Sequence, residues 1–272
     1  MEKQKYKMIV LDLDGTLTNR DKIITPRTRK ALMEAQDRGK IVVLASGRPT
    51  MGVMPLAEEL MLGQHGGYIL SFNGGNITDC RTREVIFSRQ IPREANKKII
   101  GLAEDSRVDY LTYEKDHLVV NNRNSHYAAM ESTINHMEMV EPADMASYVT
   151  FEVPKFLFLD DGDYLATVEP RVKAALGRDF SVYRSEPFFL EILPRGIDKA
   201  QCLAWLLERM GISREEMIAC GDGYNDLSMI RFAGLGVAME NAVLPVRKEA
   251  DYITSSNNDD GIARVVEEFM SI

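Results

Sequence analysis

Cysteine is scarce in this 272-residue sequence, and what there is excludes two kinds of architecture. Cys80, Cys202 and Cys220 are odd in number and widely spaced, so neither a disulfide framework nor a paired zinc motif can be drawn through them. A reducing cytoplasm is the expected compartment. Long apolar runs are also missing. None approaches the roughly 18 residues of a membrane-spanning helix, and the polar stretch Met1 to Lys7 holds no apolar segment of secretory length. Neither membrane insertion nor export is expected. Positive charge is in deficit, with 33 Lys and Arg against 41 Asp and Glu for a net charge of -8. That balance argues against a nucleic-acid binder, which depends on cations to neutralise the phosphate backbone. A small anionic substrate would need a locally positive site, built from a metal ion or a few placed cations. The four histidines, His65, His117, His126 and His136, form no metal-ligand spacing. There is no internal repeat and no low-complexity tract, and nothing marks an interface from which an oligomeric state could be read.

What is present is an ordinary globular composition, 45% hydrophobic and 27% charged, long enough for two modest domains. Met8 to Leu13 is a short apolar run of the kind buried in a parallel sheet. A helix is expected from Pro26, capped by Thr25, to Gly39. Ile41 to Ala45 is a second apolar run, and strand, helix, strand is the βαβ unit of an α/β sheet. Tyr68 to Phe72, Asn76 to Thr78 and Val85 to Gln90 suggest a strand followed by a hairpin. From about Ile91 to Leu190 helices and strands alternate less regularly, as in a separate α+β domain. After Gly196 the first rhythm returns, with a helix at Lys199 to Met210, a strand at Met217 to Cys220, a helix at Asn225 to Ala233 and a strand at Leu235 to Met239.

Four motifs fall at strand ends or helix starts, where open α/β sheets bind ligands. In Asp12-Leu13-Asp14-Gly15-Thr16, residues two apart on extended chain point the same way. Asp12 can attack phosphorus while Asp14 protonates the leaving oxygen and later activates water; a strand end with an Asx turn is the alternative. Ser46-Gly47-Arg48 offers a hydroxyl and backbone N–H groups to phosphate oxygens, or is simply a turn. Lys199 at a helix start gains nothing from the helix dipole, so a bound anion explains its place; a solvated lysine is the alternative. In Gly221-Asp222-Gly223-Tyr224-Asn225-Asp226, Asp222 suits a hard cation, magnesium better than calcium. Asn225 there can also be read as a cap, and Asp226 as a first-turn carboxylate.

Together these motifs resemble the haloacid dehalogenase superfamily of phosphatases, Cof-type subfamily. The residues are DLDGTL at Asp12 to Leu17, SGR at Ser46 to Arg48, SFNGG at Ser71 to Gly75, Lys199, and GDGYND at Gly221 to Asp226, in order across essentially the whole chain. The resemblance implies an α/β fold, a Rossmann-like parallel-sheet core (1–88 and 191–272) with an inserted α+β cap (89–190). It implies a Mg²⁺-dependent phosphatase acting on small phosphorylated metabolites, sugar phosphates foremost, with pyridoxal, nucleotide or flavin phosphates as further classes. Asp12 is then nucleophile and metal ligand. Asp14 is general acid/base and binds metal through its backbone carbonyl, and Asp222 completes the metal site. Ser46, Gly47, Lys199 and Asn225 hold the phosphoryl group, with Asp226 and Arg48 in support. Asp116, His117, Tyr183 and Glu186 are candidate substrate contacts in the cap. A phosphomutase or a non-catalytic metabolite-binding protein on the same scaffold are the other readings.

Overall fold

The computed structural model describes residues 5–270. In chain order its strands are β1 (Met8–Leu11), β2 (Ile41–Ala45), β3 (Tyr68–Ser71), β4 (Asn76–Asp79), β5 (Val85–Ser88), β6 (Asp109–Glu114), β7 (His117–Val120), β8 (Glu138–Val140), β9 (Phe156–Leu159), β10 (Phe180–Glu186), β11 (Phe189–Pro194), β12 (Met217–Gly221), β13 (Leu235–Ala238) and β14 (Tyr252–Ile253). They form two sheets, and the chain divides into two compact units, one running up to Ser88 and again from Asp198, the other Arg89–Ile197.

The first unit holds an eight-stranded sheet in the order β14-β13-β12-β1-β2-β3-β4-β5. From β14 to β3 every pairing is parallel; β4 and β5 continue it as antiparallel strands. The continuous apolar runs are explained by burial on both faces. Ile9, Leu11, Val42, Leu44, Ile218 and Cys220 enter one hydrophobic cluster, while their neighbours Met8, Val10, Val43, Ala45, Met217 and Ala219 enter another on the opposite face. The helix Pro26–Asp37, capped by the Thr25 hydroxyl, packs Leu32 and Ala35 into the first cluster. Lys199–Met210 packs Cys202, Leu203, Leu206 and Leu207 into the second. The chain crosses from β1 to β2 on one side and pairs β1 with β12 on the other. The carboxyl ends of these three central strands therefore lie together, each followed by one of the motifs.

The second unit is a six-stranded sheet, β10-β11-β9-β6-β7-β8, antiparallel except between β7 and β8. Helices Arg93–Ser106 and Gly162–Leu176 supply Ile99, Ala103, Leu165 and Val172 to its core, against Phe156, Phe158 and Ile192. From the sequence, the core is expected to resume at residue 191. The structure moves this boundary, because Glu191 and Ile192 pair with Leu157 and Phe156 in β9, so all of β11 belongs to the second unit.

Thr50–Glu59, Leu62–His65, Met145–Tyr148, Leu244–Glu249 and Gly261–Phe269, which are helical, and strands β8 and β14 are not among the elements expected from the sequence. All but two of these seven are six residues or fewer, too short to show a period. One expected helix, Asn225 to Ala233, is instead a 3-10 turn at Tyr224–Asp226 followed by a helix at Leu227–Phe232. Among the described residues no helix is long and apolar enough to cross a membrane. The three cysteines are free and buried.

Candidate active site

β1 ends at Leu11, and Asp12 follows with its backbone N–H donating to the Cys220 carbonyl, 3.0 Å, as though the strand continued. The residue as a whole is 6% exposed. Lys199 comes from the first turn of its helix and is wholly buried. Its ammonium donates to Asp12 Oδ1 at 2.7 Å, to the Ala45 carbonyl at 2.8 Å and to Asp226 Oδ1 at 2.6 Å. An ammonium has three donors, and all three are used. Burial alone would lower the lysine's pKa, but Asp12 and Asp226 outweigh it and raise it above the ordinary value. Lys199 is therefore charged, and its reading as a solvated surface lysine is ruled out.

Asp226 is fully buried, not a solvated first-turn carboxylate. Its second oxygen accepts from the backbone N–H groups of Asp222 and Gly223, both at 2.9 Å, and this folds the Gly221 to Asp226 loop into the tight turn seen. Asp222 is brought beside the Asp12 loop, where Thr16 Oγ1 donates to its Oδ1 at 2.9 Å. Burial, reinforced by Asp226 and opposed by the Thr16 hydrogen bond, pushes Asp222 up to about 6. Burial and then Asp226 also hold Asp12 well above the usual carboxylate range, against the pull of Lys199. Gly15 makes the close approach possible. Its φ is +85°, and a Cβ there would stand 2.3 Å from Asp222 Oδ2.

Carboxylate oxygens of Asp12, Asp222 and Asp226 lie within 4.8 Å of one another. Three carboxylates and one lysine leave net negative charge in a buried place, and the donors are all hard oxygens, the set that suits a divalent cation. Asp226 is the least available of the three, because both its oxygens already accept hydrogen bonds. Asp14 stands apart from this cluster. Arg48 grips it with both ends of its fork, Nε to Oδ2 at 2.9 Å and an Nη to Oδ1 at 2.7 Å, and Lys22 adds a contact of 2.6 Å. Burial raises the Asp14 pKa, but these hydrogen bonds and charges outweigh it and leave it below the ordinary value.

Ser46 follows β2, its hydroxyl accepting from the Arg48 N–H at 3.1 Å. Asn225 reaches across to Asn73, Nδ2 to Oδ1 at 3.1 Å, and Gly47 packs against that same Asn73 amide. Asp12, Ser46, Gly47, Arg48, Lys199, Asp222, Asn225 and Asp226 are thus gathered at one end of the sheet, with Asp14 held beside them by Arg48. Thr16, Lys22 and Asn73 were not given roles from sequence. Thr16 and Asn73 lie within the quoted motifs, which was the available signal; Lys22 had none. Asp116, His117, Tyr183 and Glu186 lie in the second unit. Asp116 and His117 pair with each other at 2.8 Å, and Tyr183 and Glu186 project from β10 with exposed side chains.

Comparison with known proteins shows the family and the fold. The family described as haloacid dehalogenase-like hydrolase matches residues 9–266. A crystal structure of a haloacid dehalogenase-like hydrolase from Bacteroides thetaiotaomicron is 47% identical, with TM-score 0.93 over 96% of this chain and 98% of that one. The Bacillus subtilis 5-amino-6-(5-phospho-D-ribitylamino)uracil phosphatase YcsE is 33% identical over 96% of this chain and 94% of its own. The haloacid dehalogenase subclass IIB sugar phosphatase BT4131 is 26% identical, with TM-score 0.79 over 97% and 98%. The chain belongs to the haloacid dehalogenase-like hydrolase family and is a phosphatase.

Proposed function

We propose that this phosphatase is Mg²⁺-dependent and hydrolyses small phosphate monoesters, sugar phosphates foremost, through a phosphorylated Asp12. The observation that carries the reading is the buried Lys199 shared between Asp12 and Asp226, with Asp14 two residues from Asp12. Lys199 fixes Asp12 Oδ1, which holds the carboxylate in one orientation for attack on phosphorus. Lys199 also stabilises charge on the transferring group, with Ser46, Gly47 and Asn225 orienting its oxygens.

Asp12, Asp222 and the Asp14 backbone carbonyl would hold Mg²⁺, which supplies charge neutralisation between carboxylate and phosphate. Arg48 and Lys22 keep Asp14 ionised, the state it needs to activate water against the acyl phosphate. To protonate the leaving oxygen Asp14 must first be released from them and take up a proton from solvent, which it then passes to the ester oxygen. Substrate choice is assigned to the Arg89–Ile197 unit, as the cap. The sugar phosphatase BT4131 favours the sugar phosphate class among the esters, and YcsE adds a phosphoribityl ester to the panel worth testing.

The test is phosphate release from an aryl phosphate and a panel of sugar phosphates, with and without Mg²⁺, for the wild type and Asp12→Asn. Mg²⁺-dependent release that falls about 10³-fold or more in Asp12→Asn is expected. Unchanged activity in that variant would remove Asp12 as nucleophile, and isomerised ester without free phosphate would make the chain a mutase.

A further inference from the structure

Between Ser71 and Gly75 the backbone follows a path that most sequences would resist. Phe72 and Asn73 have φ of 52° and 55°, and Gly74 has 104°. Three successive residues thus occupy a region that L side chains avoid, tolerable for Asn and Gly but not for Phe. Such conformations persist only where the surroundings over-determine them, and they cluster at functional sites.

The surroundings here are the site itself. Phe72 N donates to the Arg48 carbonyl at 3.0 Å and Asn73 N to the Ser46 carbonyl at 2.9 Å. Gly74 lies against the start of the Lys199 helix, where a Cβ would stand 2.6 Å from the Asp198 carbonyl oxygen. The Asn73 side chain joins two loops. Its Oδ1 accepts from Asn225 Nδ2 at 3.1 Å, and its Nδ2 is the atom that a Cβ on Gly47 would meet at 3.0 Å. One short turn therefore touches three of the four motifs.

We propose that Asn73 is a positioning residue of the phosphoryl subsite. Its side chain fixes the Asn225 amide so that the second N–H of Nδ2 is directed at a phosphoryl oxygen, while its backbone holds the Ser46-Gly47 loop at the matching distance. The proposal rests on the phosphatase reading above. A merely structural role, in which Asn is present because it accepts the left-handed backbone, is separable from it. Asn73→Gly keeps that backbone accessible while removing the side chain that bonds Asn225.

The experiment measures steady-state kinetics on an aryl phosphate and calorimetric binding of inorganic phosphate, both with Mg²⁺, for the wild type, Asn73→Gly, Asn225→Ala and the double variant. For Asn73→Gly the expected result is a folded protein whose KM and phosphate Kd each rise about tenfold, with kcat changed by less than about threefold. Because Asn73 acts through Asn225, adding Asn73→Gly to Asn225→Ala should cause no further loss. Unchanged KM and Kd in Asn73→Gly, or losses that add in the double variant, overturn the positioning role. A wild type that neither turns over esters nor binds phosphate would instead overturn the phosphatase reading on which the role depends.

Discussion

Lys199 carries more of the site than any other side chain. A buried ammonium is stable only if its donors and its charge are both answered, and here two carboxylates and a carbonyl do so. Removing it leaves Asp12 and Asp226 buried and facing each other. Lys199→Met is therefore expected to destabilise the protein by about 3–5 kcal/mol, read as a lower urea midpoint with unchanged slope. Gly15 makes a different prediction. At φ +85°, with Asp222 Oδ2 only 2.3 Å from where an added methyl would stand, Gly15→Ala must displace the Asp222 carboxylate. The Mg²⁺ concentration for half-maximal phosphate release should rise about tenfold or more, in line with the cost of disturbing a metal site, while Asp12 and Lys199 keep their contact. A titration of activity against Mg²⁺ distinguishes this from simple unfolding, which would lower the maximum without moving the midpoint.

At the level of elements, the helix Lys199–Met210 shows how local signals place a reacting group. Asp198 caps it, accepting from Gln201 N at 2.9 Å, and Gly211 ends it at φ 64°. Lys199 is the first residue after the cap, so the cap fixes where its side chain starts. Asp198→Ala should cost about 1 kcal/mol in urea unfolding, with a loss of turnover larger than that destabilisation explains, because the folded protein still carries a loosened Lys199. The helix was expected from the sequence with the bounds the structure gives it, Lys199 to Met210. The element around Asn225 was less legible. Its sequence reads as one helix, yet Asp226 turns back to bond the N–H groups of Asp222 and Gly223, which tightens the first turn to 3-10 geometry.

For the whole molecule the relevant quantity is charge. A chain of net charge -8 places three carboxylates within 4.8 Å of one another and gives them one buried cation. Filling that place with a dication should stabilise the fold by mass action, by about 2.7 kcal/mol at 100 times the Kd. Thermal melts are expected to shift upward with Mg²⁺ and return with a chelator. Asp222→Asn should abolish most of the shift, and a Mg²⁺-independent melt in the wild type would count against a metal at these carboxylates.

The sequence by itself determined the alternation of strands and helices, because strands buried on both faces must be apolar throughout and helices must show a spaced stripe. It also determined that acidic, hydroxyl and lysine side chains fall at strand ends and helix starts, where parallel sheets leave room for a ligand. Tertiary structure decided what those groups do to each other. That Lys199 is wholly buried between Asp12 and Asp226, that Arg48 and Lys22 claim Asp14, and that Asn73 ties Gly47 to Asn225 all depend on residues far apart in sequence. Their distances are set by sheet order and by left-handed turns, and neither leaves a period in the sequence. The boundary at β11 was missed for the same reason: its residues resemble any buried strand, and only their pairing with β9 shows which sheet they join.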